Sequence, residues 1–185
     1  MYVVGYRGAQ IRQAVGDGRA FGLHVTYVDE GDELHGTGGA LRVALDRDAL
    51  TEVFGVLYGD SYLPTELAPI WDAFATAKLP ALMTVHRNED RWDRSNAVFE
   101  DGAITHYEKS HGTRAPRMKW IDYGFSVLRR DVIERLPGDA IVDLADLYGE
   151  LSSRGELAGH EVSERFYEVG SPEGVADLER HLAGR

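Results

Sequence analysis

Between residues 2 and 85 the chain alternates apolar runs with helix-like stretches, and this rhythm restricts its fold more than any other feature. Tyr2-Val3-Val4-Gly5-Tyr6 reads as a buried strand. Ala9 to Val15 follows as a helix, stopped by Gly16-Asp17-Gly18. Leu23 to Val28 alternates as a strand, and a helix runs from Gly39 to about Asp46. The unbroken apolar run Val53 to Tyr58 suits a central parallel strand. Thr65 to Ala77 reads as a helix and Ala81 to Val85 as a further buried strand. Strand and helix in alternation predict an α/β protein with mostly parallel strands.

The second half departs from this rhythm. Asn96–Phe99 and Ile104–Tyr107 flank Glu100-Asp101-Gly102, and Asp-Gly is a strong hairpin turn. Trp120 to Leu128 reads as a strand, so the sheet gains an antiparallel addition and becomes mixed. Arg130–Leu136, Val142–Ser153 and Pro172–Leu182 read as helices. Ser171 can cap the last of these, with Pro172 at its first position. No Gly/Ser/Pro-rich linker divides the chain, so residues 1–185 read as one domain.

Composition narrows the function classes. With 43% hydrophobic and 28% charged residues the chain has enough apolar material for a core. No stretch approaches the roughly 20 apolar residues of a membrane helix, and Met1 to Arg12 lack the pattern of a signal peptide. The absence of cysteine excludes disulfides, thiolate metal sites and cysteine nucleophiles, and favours a cytoplasmic location. A net charge of −11 argues against general nucleic-acid binding. A small anionic substrate remains open, because backbone N–H groups, a few cations or a metal ion suffice for it.

Four segments can carry chemistry. Leu34-His35-Gly36-Thr37-Gly38-Gly39-Ala40-Leu41 lies between a strand and a helix. Its glycines let a ligand approach the backbone, and a helix start beyond them offers free N–H groups; a plain glycine-rich turn is the competing reading. Gly59-Asp60 ends an apolar strand, where α/β sheets bind ligands, and an aspartate there can hold magnesium or cap a turn. Glu168 precedes a Gly turn and a helix, and is either a second metal ligand or a solvated edge residue. Lys109, in Tyr107-Glu108-Lys109-Ser110, is a candidate phosphate contact, as are Arg87, Arg91, Arg94, Arg114, Arg117 and Lys119, each of which also reads as ordinary solvated surface. Histidine pairs with zinc spacing, Gly-x-Ser-x-Gly and a Gly-x-Gly-x-x-Gly strand-to-helix fingerprint do not occur.

In their order these motifs are specific. Gly-Thr-Gly-Gly-Ala-Leu, a strand ending in Gly-Asp, an Asp-Gly hairpin, Tyr-Glu-Lys, Ile-Asp-Tyr-Gly and Glu-Val-Gly-Ser-Pro-Glu-Gly together resemble the sugar-1-phosphate nucleotidyltransferases, in flavour the heptose- and mannose-1-phosphate guanylyltransferases. The resemblance spans nearly all 185 residues. It implies a three-layer, Rossmann-like α/β fold with a mixed, mostly parallel sheet and helices on both faces. It implies joining of a nucleoside triphosphate to a sugar 1-phosphate with release of pyrophosphate. Carried onto this sequence, it puts Gly36, Thr37, Gly38 and Gly39 along the base and ribose, Asp60 on the catalytic magnesium, Lys109 at the sugar phosphate and Gly124 at the sugar. Glu168 takes the place of the family's usual aspartate as second metal ligand.

The resemblance also implies an N-terminal truncation. The family's opening strand, its Gly-Gly-x-Gly-Thr-Arg-Leu-type triphosphate loop and the following Lys-Pro segment are not among these residues. Without that cradle the 185 residues alone are expected to turn over poorly, and uncovered sheet edges favour self-association. An inactive binding or regulatory relative, and a plain interaction domain whose motifs are only turns, are the alternative readings.

Overall fold

The computed structural model describes residues 1–31, 33, 35–109, 117–138 and 141–184. Leu34, Ser110 and Arg114, named above, lie outside the described residues. In chain order the elements are β1 (Tyr2–Val4), α1 (Gly8–Val15), β2 (Tyr27–Asp29), α2 (Gly36–Asp46), β3 (Val53–Leu57), β4 (Ser61–Tyr62), α3 (Ala68–Ala77) and β5 (Ala81–Arg87). There follow β6 (Ala97–Glu100), β7 (Ala103–Tyr107), β8 (Trp120–Arg129), α4 (Arg130–Glu134), α5 (Leu144–Ser153), β9 (Leu157–Glu161), β10 (Tyr167–Glu168) and α6 (Pro172–Ala183). They form two compact units, Met1–Val53 with Arg129–Leu147, and Phe54–Leu128 with Tyr148–Arg185.

In the first unit β1 and β2 pair in parallel, Val3 opposite Val28. Of β1 only Val4 is buried, while Val3 is half-buried and Tyr2, at the strand's start, is exposed; the expectation of a fully buried strand does not hold. The strand expected over Leu23–Val28 is confined to β2, after Val25 N–H has bonded back to Asp17 O at 2.9 Å. The core gathers Val4, Val28, Leu41, Leu45, Val132 and Ile133. Apolar spacing of three and four turns Leu41, Ala44 and Leu45 to one side of α2.

The second unit holds nearly all of a six-stranded sheet in the order β3-β8-β5-β9-β7-β6. The α/β class and the mixed sheet are as the sequence implies, with helices flanking the strands. The parallel share is smaller than expected: β5–β9 is parallel, while β5–β8, β6–β7, β6–β8 and β7–β9 are antiparallel. The cause is the hairpin together with β8, which at ten residues is the longest strand and runs against β5. β3 is an edge strand rather than a central one, and its alternating residues are only half-covered. The centre is β5, whose Ala81 to Val85 are all fully buried. The Asp-Gly turn forms as read: Asp101 (φ 50°) and Gly102 (φ 81°) both take the left-handed conformation of a tight hairpin.

Candidate functional site

The short β4–β10 pair brings two acids together. Gly59-Asp60 turns the chain out of β3 and into β4. β10 runs antiparallel to β4, with Glu168 opposite Ser61. Val169 N–H donates to Asp60 O at 2.8 Å, and Ser61 Oγ lies 3.4 Å from Asp60 Oδ1. The two candidate metal ligands of the sequence are therefore neighbours. Partial burial raises Glu168 above the usual carboxylate range; the charges of Asp60 and Asp93 add to this, and Lys109 opposes it. Like charges held together raise a carboxyl in this way unless a cation offsets them. Among the described residues no group of three or more acids or histidines is placed to hold a metal. Magnesium does not require one: it keeps several waters and takes one or two carboxylates plus substrate phosphates. Asp60 and Glu168 fit that donor set.

Lys109 follows β7, its ammonium 5.9 Å from the centre of the Tyr58 ring. It also acts electrostatically on Asp122, an acid on β8 that the sequence reading passed over. Burial pushes Asp122 up to about 6, against the pull of Gly124 N–H and of Lys109. Gly124, read as a sugar contact, has φ +97° and lies close to Ser61: a Cβ added there would sit 3.2 Å from Ser61 Oγ. Asp60, Lys109, Gly124 and Glu168 thus belong to one unit and cluster about β4. The signal for Asp122 was present as the one acid inside the apolar strand Trp120 to Leu128.

Beside Glu168 lies a cavity of about 590 Å³ lined by Trp92, Asp93, Arg165, Glu173 and Arg180 among others. The Arg165 guanidinium stacks 3.5 Å from the centre of the Trp92 ring and 4.7 Å from that of Tyr167, and pairs with Asp177. Trp92 and Arg165 had no motif to mark them. Of the basic candidates, Arg87 pairs with Glu89 at 2.9 Å and Arg117 with Glu100, so both are engaged on the surface.

The glycine-rich segment belongs to the other unit. Gly36 to Gly39 are the first turn of α2, not a loop before it. Gly38 and Gly39 N–H both donate to Val142 O, at 2.8 and 3.1 Å. The expectation of free N–H groups fails there, because the chain itself caps them. Thr37 Oγ1 donates to Asp143 Oδ1 and accepts Leu144 N–H, at 2.9 and 2.8 Å. Gly36 has φ +75°, and a Cβ on it would stand 2.5 Å from Val142 O. Gly36→Ala is therefore expected to lower stability by about 2–4 kcal/mol, from left-handed strain plus a backbone clash. Denaturant unfolding checks this, and a loss below about 1 kcal/mol would show that residues 142–144 yield easily.

No protein-family model matches the chain. A mannose-1-phosphate guanylyltransferase of Mycobacterium tuberculosis (strain ATCC 25618 / H37Rv) is 27% identical over 187 residues, covering 96% of this chain. The chain spans about half that relative's length, 51%. A Bacillus anthracis protein assigned as a glucose-1-phosphate thymidylyltransferase, solved with sucrose, superposes with TM-score 0.80 at 19% identity, covering 97% of this chain and 74% of that one. HddC from Yersinia pseudotuberculosis superposes with TM-score 0.77 at 19% identity, covering 97% and 76%. The resemblance carried by the motifs is thus matched by a relative in sequence and by the fold.

Proposed function

We infer that this chain is part of a sugar-1-phosphate nucleotidyltransferase, joining a nucleoside triphosphate to a sugar 1-phosphate to give a nucleotide sugar and pyrophosphate. The observation that carries this reading is the meeting of Asp60 and Glu168 across the β4–β10 pair, within reach of the Lys109 charge. The guanylyltransferase relative supports it, and suggests guanine and mannose as the first base and sugar to try.

Asp60 and Glu168 would hold magnesium, which when bound would offset negative charge on the phosphates. Lys109 receives the phosphate of the sugar 1-phosphate as a compact point charge and orients its oxygen for in-line attack on the α-phosphorus. Gly124, having no side chain, leaves room for the sugar beside Ser61. Gly36, Thr37, Gly38 and Gly39 line the base and ribose by the same family likeness. A cytoplasmic setting is part of this reading and is supported by the lack of cysteine; among the described residues no helix is long and apolar enough to cross a membrane. Exposed apolar side chains such as Phe21 and Leu23 are consistent with self-association.

The test is pyrophosphate release with magnesium, mannose 1-phosphate and each of the four common nucleoside triphosphates in turn, on the chain itself and on the chain together with any in-frame coding sequence upstream. Release is expected with GTP above the others. No release with any triphosphate and any hexose or heptose 1-phosphate would end this reading.

A further inference from the structure

The mechanism above gives no task to the cavity beside Glu168. At about 590 Å³ it has the size of a small-molecule site. One wall is the loop between β5 and β6, which holds Trp92 and Asp93. This loop is built from within. Asn88 and Ser95 are fully buried in it. Asn88 Oδ1 accepts Trp92 N–H at 3.1 Å, and Asn88 Nδ2 donates to Asp93 O and to Ser95 Oγ. Ser95 N–H donates to Asp90 Oδ1 at 2.9 Å, and Ser95 Oγ accepts Asp90 N–H at 3.1 Å. Asn88 and Glu89 N–H both donate to Lys119 O, just ahead of β8. Glu89 (φ 48°) and Asp90 (φ 63°) are held in the left-handed region, which residues other than glycine adopt at a cost.

All this order does not bury the indole: Trp92 is 50% exposed. The Arg165 guanidinium, paired with Asp177 and packed against Tyr167, covers one face of the ring. Trp92 is thus an aromatic surface held in a fixed place on a cavity wall, the arrangement that serves as a platform for a ligand.

The charges narrow the kind of ligand. Asp93, Glu168, Glu173 and Asp177 line the cavity against Arg165 and Arg180, and both arginines pair with Asp177. This acidic excess disfavours a further phosphate. An uncharged polyol fits it: the C–H face of a sugar ring lies on an aromatic face, and its hydroxyls donate to carboxylates. Asp93 adjoins the platform, and Glu173 stands in the first turn of α6, whose start is capped by Ser171.

We propose that this cavity receives the hydroxyl-bearing end of the sugar, its C–H face on the Trp92 indole and its hydroxyls donating to Asp93 and Glu173. Trp92 and Asp93 are then residues that select the sugar, and Gly124 faces the end that carries the phosphate. The proposal rests on the reading above for that phosphate; binding of the sugar itself does not need it.

The test uses the 185-residue chain without nucleotide. Its three tryptophans are Trp71, Trp92 and Trp120, so their indole N–H signals can be followed one by one in an NMR spectrum, each assigned from its Trp→Phe variant. The chain is titrated with the methyl glycosides of mannose, glucose and galactose, and with mannose 1-phosphate. The Trp92 signal is expected to move saturably with at least one of them, and those of Trp71 and Trp120 to stay. Calorimetry with the sugar that binds should show affinity at least about tenfold weaker in Trp92→Ala and about twofold weaker in Trp92→Phe, which keeps a ring face. Asp93→Asn is expected to cost about fivefold, and as an exposed position it carries the comparison should Trp92→Ala lower the melting temperature. A Trp92 signal that no sugar moves, or parental affinity in both Trp92→Ala and Asp93→Asn, overturns the proposal. Sugar binding that depends on Trp92, in a chain that releases no pyrophosphate with any triphosphate, would keep the sugar site and end the transferase reading. Pyrophosphate release with the same KM for mannose 1-phosphate in parent and Trp92→Ala would do the reverse.

Discussion

Asp60→Ala is expected to lower nucleotidyl transfer about 100- to 1,000-fold while leaving the fold intact. Asp60 is exposed, in the turn between β3 and β4, and among the described residues the hydrogen-bond contact of its carboxylate is the long 3.4 Å one from Ser61 Oγ. Removing it therefore deletes little packing, and the change in stability should stay within about 0.5 kcal/mol. On the proposed reading, what it deletes is one of two carboxylates that would hold the ion offsetting the charge of the phosphates. Pyrophosphate release at saturating magnesium, set beside a melting curve, separates the two effects. A variant that transfers as well as the parent would mean that Asp60 only shapes the turn. The same substitution relieves Glu168 of a neighbouring negative charge, so the carboxyl of Glu168 should move back toward the ordinary range.

The second large effect is in the pH dependence of stability. Burial holds Asp122 at about 6 in the folded chain, against an ordinary value of 3.8. Between those values the folded chain keeps a proton that the unfolded chain has released. Stability from this group is therefore present at low pH, falls as pH rises through the window from about 4 to 6, and is fully lost above it. A two-unit shift corresponds to on the order of 3 kcal/mol, reduced to on the order of 2 kcal/mol by the exposure the residue retains. Asp122→Asn removes the titration. Its stability relative to the parent should thus improve by on the order of 2 kcal/mol between pH 4.5 and pH 7.5. Guanidinium unfolding of both proteins at the two pH values measures this. A difference that is flat, or that grows toward acid, would show that the carboxyl is ionised throughout.

Much of the fold was legible because local rules decided it. Gly16 stops α1 with φ 59°, Ser171 Oγ accepts Gly174 N–H at the start of α6, and Asp101-Gly102 closes the β6–β7 hairpin. None of these needs a distant partner. β9 went unread, since Leu157 to Glu161 includes Gly159 and His160 and has no clean alternation. It is held as a strand by pairing with β5 on one side and β7 on the other. The strand Val53–Leu57 was recognised and its place was not: an apolar run looks the same at the centre of a sheet and at an edge packed by neighbours.

The site divides in the same way. Sequence alone identified Asp60, Lys109, Gly124 and Glu168 as the residues to watch, because each stands in a motif whose order along the chain is distinctive. It could not say that Glu168 lies across a two-residue ladder from Ser61, or that Asp60 O accepts Val169 N–H. It also misjudged the first turn of α2, where Val142 O takes the N–H groups expected to be free. Asp122 was visible as a letter and silent as a role. Its burial and raised carboxyl depend on a register shift in β8 and on packing against segments distant in the chain, such as Asn96. Turns and caps are set by the dihedral preferences and hydrogen bonds of a few adjacent residues, so sequence determines them. Burial, charge coupling and strand register arise only when distant segments meet, and tertiary structure decides those.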